Sequence, residues 1–250
     1  MEMDIMIFKG GHSYYGQVLG ILVFESTIPR IPGDPGNALT FNFPVCYEII
    51  EGQFSDLVDG SEKVRENLIK AAKNLENKGV KAIIGDCGLM SIYQRDVSSN
   101  LNIPFVSSSL LLLPLIWLLH GEKGKIGIIT GHSKYLQKKH LDACGAGNIP
   151  VEIQGMEEKD EFCKVVLKGN DTLNFENMKN DVLKAVEELL KRKEGVHSIL
   201  LECSNLCSFS KDIRERFRLP VYDIIAAIEL IKYTIWPVNY SEIMKKYNLL

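Results

Sequence analysis

The feature that most constrains the fold of this chain is a stretch that it writes twice. Val80-Lys-Ala-Ile-Ile-Gly-Asp86-Cys87-Gly-Leu-Met returns as Val196-His-Ser-Ile-Leu-Leu-Glu202-Cys203-Ser-Asn-Leu. The offset is 116 residues at Val80/Val196, Cys87/Cys203, Asp96/Asp212 and Pro104/Pro220 alike, so the copies align without a gap. Each copy has an apolar run rich in branched residues, then an acid and a cysteine, a small residue, a helix-length stretch, and a second apolar run that opens on proline. That grammar is strand, turn, helix, strand, the unit of a parallel sheet. Internal repetition of this kind frames everything else in the chain.

In open parallel sheets, ligand-facing groups sit beyond the carboxyl ends of the strands. Cys87 and Cys203 both occupy that place. The duplication therefore predicts an α/β protein of two pseudo-symmetric lobes, each a parallel sheet flanked by helices, with two thiols facing one cleft. The lobes are read as residues 1–121 plus 223–250, and 122–222. The boundary falls at the polar, glycine-containing Gly121-Glu-Lys-Gly124-Lys125, which separates two apolar blocks.

Composition narrows the partners. With 46% hydrophobic and 24% charged residues and a formal charge of −3, the 250-residue chain is an ordinary globular protein whose scattered Lys and Arg argue against nucleic acid. The start, Met-Glu-Met-Asp, is acidic where a secretory leader is basic. The longest apolar run, residues 110–119, contains Pro114 and is about half of the roughly 20 residues that span a bilayer. It reads as a buried helix, and no membrane partner is expected. Six cysteines, at 46, 87, 144, 163, 203 and 207, form no CxxC pair and no zinc spacing. A reduced, cytoplasmic protein without a metal site follows.

Along the chain, Gly10 to Gly16 is a glycine-rich loop before an apolar strand at 18–24. Next comes Pro29-Arg30-Ile31-Pro32-Gly33-Asp34-Pro35-Gly36-Asn37, a loop that its prolines hold rigid. Arg30 is its only cation. A guanidinium there suits a substrate carboxylate through paired hydrogen bonds, or else closes an ion pair with Asp34 or Glu25. Val64, Leu68, Ala71, Ala72 and Leu75 fall at helical spacing over 62–77, and Val182, Leu183, Val186, Leu189 and Leu190 do so over 180–193. A strand at 125–129 ends in Thr130-Gly131-His132-Ser133, which opens a helix over 134–143, and 151–153 reads as a short strand. Helices at 224–236 and 240–250 close the chain. Ser107 ends the second apolar run of the first copy. Hydroxyls and free N–H groups at such turns are candidate carboxylate contacts, hence Ser107, Thr130 and Ser133.

Two thiols on opposite walls suit one demanding reaction. A carbon acid beside a carboxylate is very weak, so its proton needs an aimed base, and inversion needs a second group to return a proton on the other face. One cysteine serves as thiolate base and the other as thiol acid. A helix N-terminus lowers a thiol from its usual value near ~8.5, and both cysteines are read at such a place. Gly88, Ser204 and Asn205 bring amides and a hydroxyl beside the sulfurs. Asp86 and Glu202, one residue earlier, are read as caps or orienting groups that point away from them.

With these motifs, Gly85-Asp86-Cys87-Gly88 and Leu201-Glu202-Cys203-Ser204-Asn205 in a duplicated chain, the sequence resembles the aspartate/glutamate racemase superfamily. The superfamily also holds hydantoin racemases, maleate cis-trans isomerases and arylmalonate decarboxylases. The resemblance covers essentially the whole chain. It implies two flavodoxin-like lobes, an active site between them, no cofactor, and Cys87 and Cys203 as the acid/base pair. Ser204 stands where the family usually has threonine. Gly88 stands where glutamate racemases have asparagine, and Glu25-Ser26-Thr27 lies where they carry Asp-Ser-Gly, so glutamate itself is disfavoured. The expected function is a PLP-independent racemase of an amino acid or related carboxylate, acting as a cytoplasmic homodimer. The alternatives are a hydantoin racemase, a maleate-type isomerase, a Cys/His hydrolase with His132 as base, and, outside enzymes, a two-lobed binding protein.

Overall fold

The structure is a computed structural model that describes residues 10–236, except 53 and 193, together with 241 and 244. The helix expected at 240–250 lies outside the described residues but for those two. The described residues form two four-stranded parallel sheets flanked by helices. The first holds β1 (Leu19–Phe24), β2 (Val45–Ile50), β3 (Ala82–Gly85) and β4 (Phe105–Val106), in the order β2-β1-β3-β4. The second holds β5 (Lys125–Thr130), β6 (Val151–Gly155), β7 (Val196–Leu201) and β8 (Val221–Tyr222), in the order β6-β5-β7-β8. The second order repeats the first, as the duplication requires. Registers agree as well: Leu19 pairs with Ala82, and Ile126 with Ser198, which stands 116 residues after Ala82.

The first lobe's helices are α1 (Phe54–Asp59), α2 (Glu62–Asn77), α3 (Gln94–Ser98) and α4 (Leu113–Leu119). The others are α5 (Lys138–Ala143), α6 (Asp160–Phe162), α7 (Phe175–Arg192), α8 (Ser210–Phe217) and α9 (Ile224–Ile235). In α2 the buried residues are Val64, Leu68, Ala71, Ala72 and Leu75, the face its spacing defines. Each such leucine contributes about 2 kcal/mol by leaving water. The helix α7 begins five residues before the expected 180, and Met178 of that added turn is buried. The helix expected from 134 starts only at 138, because residues 134–137 form a turn. Strand β2 was not among the expected elements; Glu48 interrupts its apolar residues, and Ile49 is exposed.

One core joins the lobes. Ile126, Ile128 and Leu200 of the second sheet pack in the same buried cluster as Ile21 and Ile83 of the first and Leu113 of the first lobe. Ile224, Ala227 and Ile228 of α9 join them. Two reciprocal hydrogen bonds lock the seam. Ser109 Oγ donates to the Leu201 carbonyl at 2.8 Å, and Ser204 Oγ donates to the Asp86 carbonyl. Each lobe thereby grips the main chain just ahead of the other lobe's cysteine. No helix among the described residues is long and apolar enough to cross a membrane.

Candidate active site

Strands β3 and β7 end at Gly85 and Leu201, and the chain leaves each through acid and cysteine into a 3-10 turn, Gly88–Tyr93 or Ser204–Phe209. The two turns face each other across the seam. Between them lies a cavity of about 320 Å³ lined by Cys87, Cys203, Asp86, Glu202, Thr130, Ser204 and Asn205. Arg30, Phe24, Glu25, Leu89, His132 and Tyr135 complete much of the wall. The thiols are half-buried and free.

The acids differ from the sequence reading. Both line the cavity with the thiols instead of pointing away, and neither caps the turn that follows. Asp86 accepts from Arg30 Nη2 at 2.5 Å and from the Phe24 N–H at 3.3 Å. Glu202 accepts from Thr130 Oγ1 at 2.6 Å and packs against Gly88, where a Cβ would overlap its carboxylate. Gly88 is therefore glycine because Glu202 reaches across the seam, which accounts for its departure from the asparagine of glutamate racemases.

Burial sets the titration of the site. It pushes the Asp86 carboxyl up to about 6, against the opposing pull of Arg30. It pushes Glu202 up to about 7, with the Thr130 hydroxyl and Gly131 amide working the other way. Burial and then the Glu202 carboxylate raise both thiols as well. This corrects the expectation of lowered thiols. The turn amides are present, Leu89 N–H toward Cys87 and Asn205 N–H toward Cys203, but desolvation next to carboxylates outweighs them.

Arg30 lies in the cavity wall with both ends of its fork engaged, Nη1 to Asp34 at 2.7 Å and Nη2 to Asp86. Burial opposes its charge, and the two carboxylates more than restore it. Asp34, 1% exposed, also accepts from the Gly36 N–H at 2.7 Å and from Asn205 Nδ2 at 2.6 Å. The rigid loop thus touches both thiol turns. Thr130, Ser204 and Asn205 line the cavity, whereas Ser107 is buried outside its wall with its N–H on Gln94 Oε1 at 2.9 Å. Ser133 turns its hydroxyl to Glu157, and Gly88 backs the wall behind Glu202. The ion pair of Arg30 with Asp34, one of the two alternatives the sequence offered, is present, and its second carboxylate is Asp86 where Glu25 was the other candidate. Phe24 and Tyr135 were not anticipated, and no sequence signal marks them. Among the described residues no His, Cys, Asp or Glu group has metal-binding geometry.

No family model matches the chain. It is 28% identical over 220 residues to a dimethylsulfoniopropionate lyase of Durusdinium sp. clade D, covering 84% of this chain and 72% of that protein. It is 26% identical over 219 residues to dimethylsulfoniopropionate lyase 3 of Emiliania huxleyi, covering 83% of this chain but 57% of the relative. Among solved structures, an aspartate racemase homologue from Pyrococcus horikoshii superposes with a TM-score of 0.53 at 21% identity, over 86% of this chain and 99% of that one. Arylmalonate decarboxylase gives 0.52 at 12%, over 82% and 85%. A glutamate racemase from Bacillus anthracis gives 0.55 at 15%, over 94% and 84%. The chain thus has the two-lobed α/β fold of these solved structures.

Proposed function

We propose that the chain is a cofactor-independent lyase that eliminates a sulfonium leaving group from the β-carbon of a small carboxylate, with dimethylsulfoniopropionate as the type substrate. The observation that carries this reading is the charge of the cavity. Its wall holds Glu25, Asp86 and Glu202 against a single guanidinium, and that guanidinium is already engaged by Asp34 and Asp86. Such a wall favours a cation. Phe24 and Tyr135 offer aromatic surface, which also attracts one. A sulfonium meets both. The similarity to proteins named as lyases of such a compound supports the same reading.

The chemistry uses the thiols as a carbon-acid site. A thiolate takes the proton α to the carboxylate, so the C–H bond breaks and an S–H bond forms. The electron pair left on the α-carbon forms the alkene as the C–S bond to the β-carbon breaks. Dimethyl sulfide leaves with that bond pair and acrylate remains. Elimination needs no second proton on carbon, so one thiol is base and the other remains a donor.

The expected racemase activity is kept as a second reading because the two thiols stand at equivalent points of the two lobes, the arrangement that inversion requires. One experiment separates them. The protein is incubated in D2O with dimethylsulfoniopropionate, and separately with D- and L-aspartate and glutamate. Headspace gas chromatography follows dimethyl sulfide, and proton NMR follows acrylate and α-deuteration. Dimethyl sulfide and acrylate in equal amounts support the lyase. Deuteration with inversion of an amino acid, and no dimethyl sulfide, overturns it for the racemase.

A further inference from the structure

The two thiol turns give their cysteines the same main-chain support. The Leu89 N–H serves Cys87 and the Asn205 N–H serves Cys203. Positions 89 and 205 are equivalent in the repeat, being 116 residues apart. What differs is the side chain. Leu89 is apolar and buried, whereas Asn205 Oδ1 lies 3.7 Å from Cys203 Sγ and Asn205 Nδ2 donates to Asp34 Oδ2 at 2.6 Å.

An amide has one accepting end and one donating end, so its bond to Asp34 decides which end meets the sulfur. An ionised carboxylate only accepts. Nδ2 therefore turns to Asp34, and the oxygen is left for Cys203. A carbonyl oxygen accepts from an S–H and repels an S⁻. Asp34 is itself fixed by Arg30 Nη1 and the Gly36 N–H, so it cannot turn away.

We propose that Asp34 and Asn205 are positioning residues that hold Cys203 as the thiol, which makes it the acid of the pair and leaves Cys87 as the base. The assignment of acid and base rests on the elimination reading above; the protonation of Cys203 does not. The charged and titratable groups around Cys203 come from every neighbouring turn. Glu202 stands on its own turn, Asp34 and Arg30 on the rigid loop, Asp86 and Cys87 on the first thiol turn, Glu25 after β1 and His132 after β5. Arg30 bridges Asp34 and Asp86 and so acts on both thiols. The amide oxygen at 205 is a contact that Cys203 has and that Leu89 does not give Cys87.

The test is the rate of alkylation by iodoacetamide from about pH 6 to about pH 10, the acidic side of both raised midpoints, read at each cysteine by peptide mass spectrometry, with no substrate present. Asp34→Leu removes the acceptor that orients the amide, and Asn205→Leu copies the first turn. In either variant Cys203 reacts about ten-fold faster or more at each pH, as a midpoint lowered by about one unit or more requires, while the rate at Cys87 keeps its wild-type value. A Cys203 rate that stays, or two thiols that change together, overturns the proposal. For variants that do not fold, the wild type gives a second reading. A carboxylate-bound Asn205 amide has downfield nitrogen-proton signals that exchange slowly with water, and exchange at the free rate overturns the link. A wild type that releases no dimethyl sulfide while the thiol results hold defeats the lyase reading alone.

Discussion

The turns after β3 and β7 started from one sequence pattern and now do different work. In the first, Asp86 is neutralised by Arg30, Gly88 leaves a space, and Leu89 offers only apolar surface. In the second, Glu202 has hydroxyl and amide donors in place of a cation and fills the space at Gly88; Ser204 ties the lobes, and Asn205 carries a link to Asp34. Duplication supplied a symmetric pair of thiols, and three changed neighbours made the pair unequal. Inequality is what an elimination needs, since it moves a proton one way.

The largest difference is expected in turnover. Cys87→Ser should lower kcat/KM for elimination about 10³-fold or more, and Cys203→Ser about 10-fold to 100-fold, measured as dimethyl sulfide release. Equal losses would restore the symmetric picture. Next is the pH dependence of stability. Glu202 titrates at about 7 when folded against an ordinary value near 4.5, so between these values the folded state binds more protons than the unfolded one. Its contribution is complete below about pH 4.5 and is lost as pH rises through about 7. Glu202→Gln should remove up to about 3 kcal/mol of that decline, read by urea unfolding across this range. An unchanged slope would mean that Glu202 is not the acid that titrates.

Asp86→Asn should cost about 2 kcal/mol near neutral pH, because Arg30 is left with one carboxylate in a site where its side chain is 18% exposed. Glu202→Gln strands no cation, so at that pH it should be neutral or stabilising. Position 88/204 gives the smallest contrast. Gly88→Ala drives a methyl into the Glu202 carboxylate and should cost about 1 to 3 kcal/mol with a rise in KM. Ser204→Ala loses one cross-lobe hydrogen bond and should cost about 1 kcal/mol with little change in KM.

Much of the fold was legible because its signals are local. The gapless copies of 80–106 and 196–222 announced two like sheets, and the period of the α2 leucines marked the face that packs on the first. Strand β2, Val-Cys-Tyr-Glu-Ile-Ile, follows Pro44 directly and is broken by Glu48, so it carries neither a period of two nor an unbroken apolar run. In the site, Cys87 and Cys203 were found from the repeat, and Thr130, Ser204 and Asn205 from their place at turns. Ser107 has the same kind of place yet lies outside the cavity, because a strand-end position does not say which way a side chain leaves.

The sequence by itself determined the duplicated α/β plan and the thiol at each strand end, because a period of two or 3.6 residues acts between neighbours in the chain and needs no partner elsewhere. The tertiary structure alone decided that Arg30 meets Asp86, that Asp34 turns Asn205, and that Glu202 lies over Gly88. Those partners are 56, 171 and 114 residues apart, and no local pattern carries such a distance. They meet because two lobes of the same strand order pack with their thiol turns facing one seam, and in the space that closes between those turns a carboxylate finds a guanidinium, an amide or a missing Cβ.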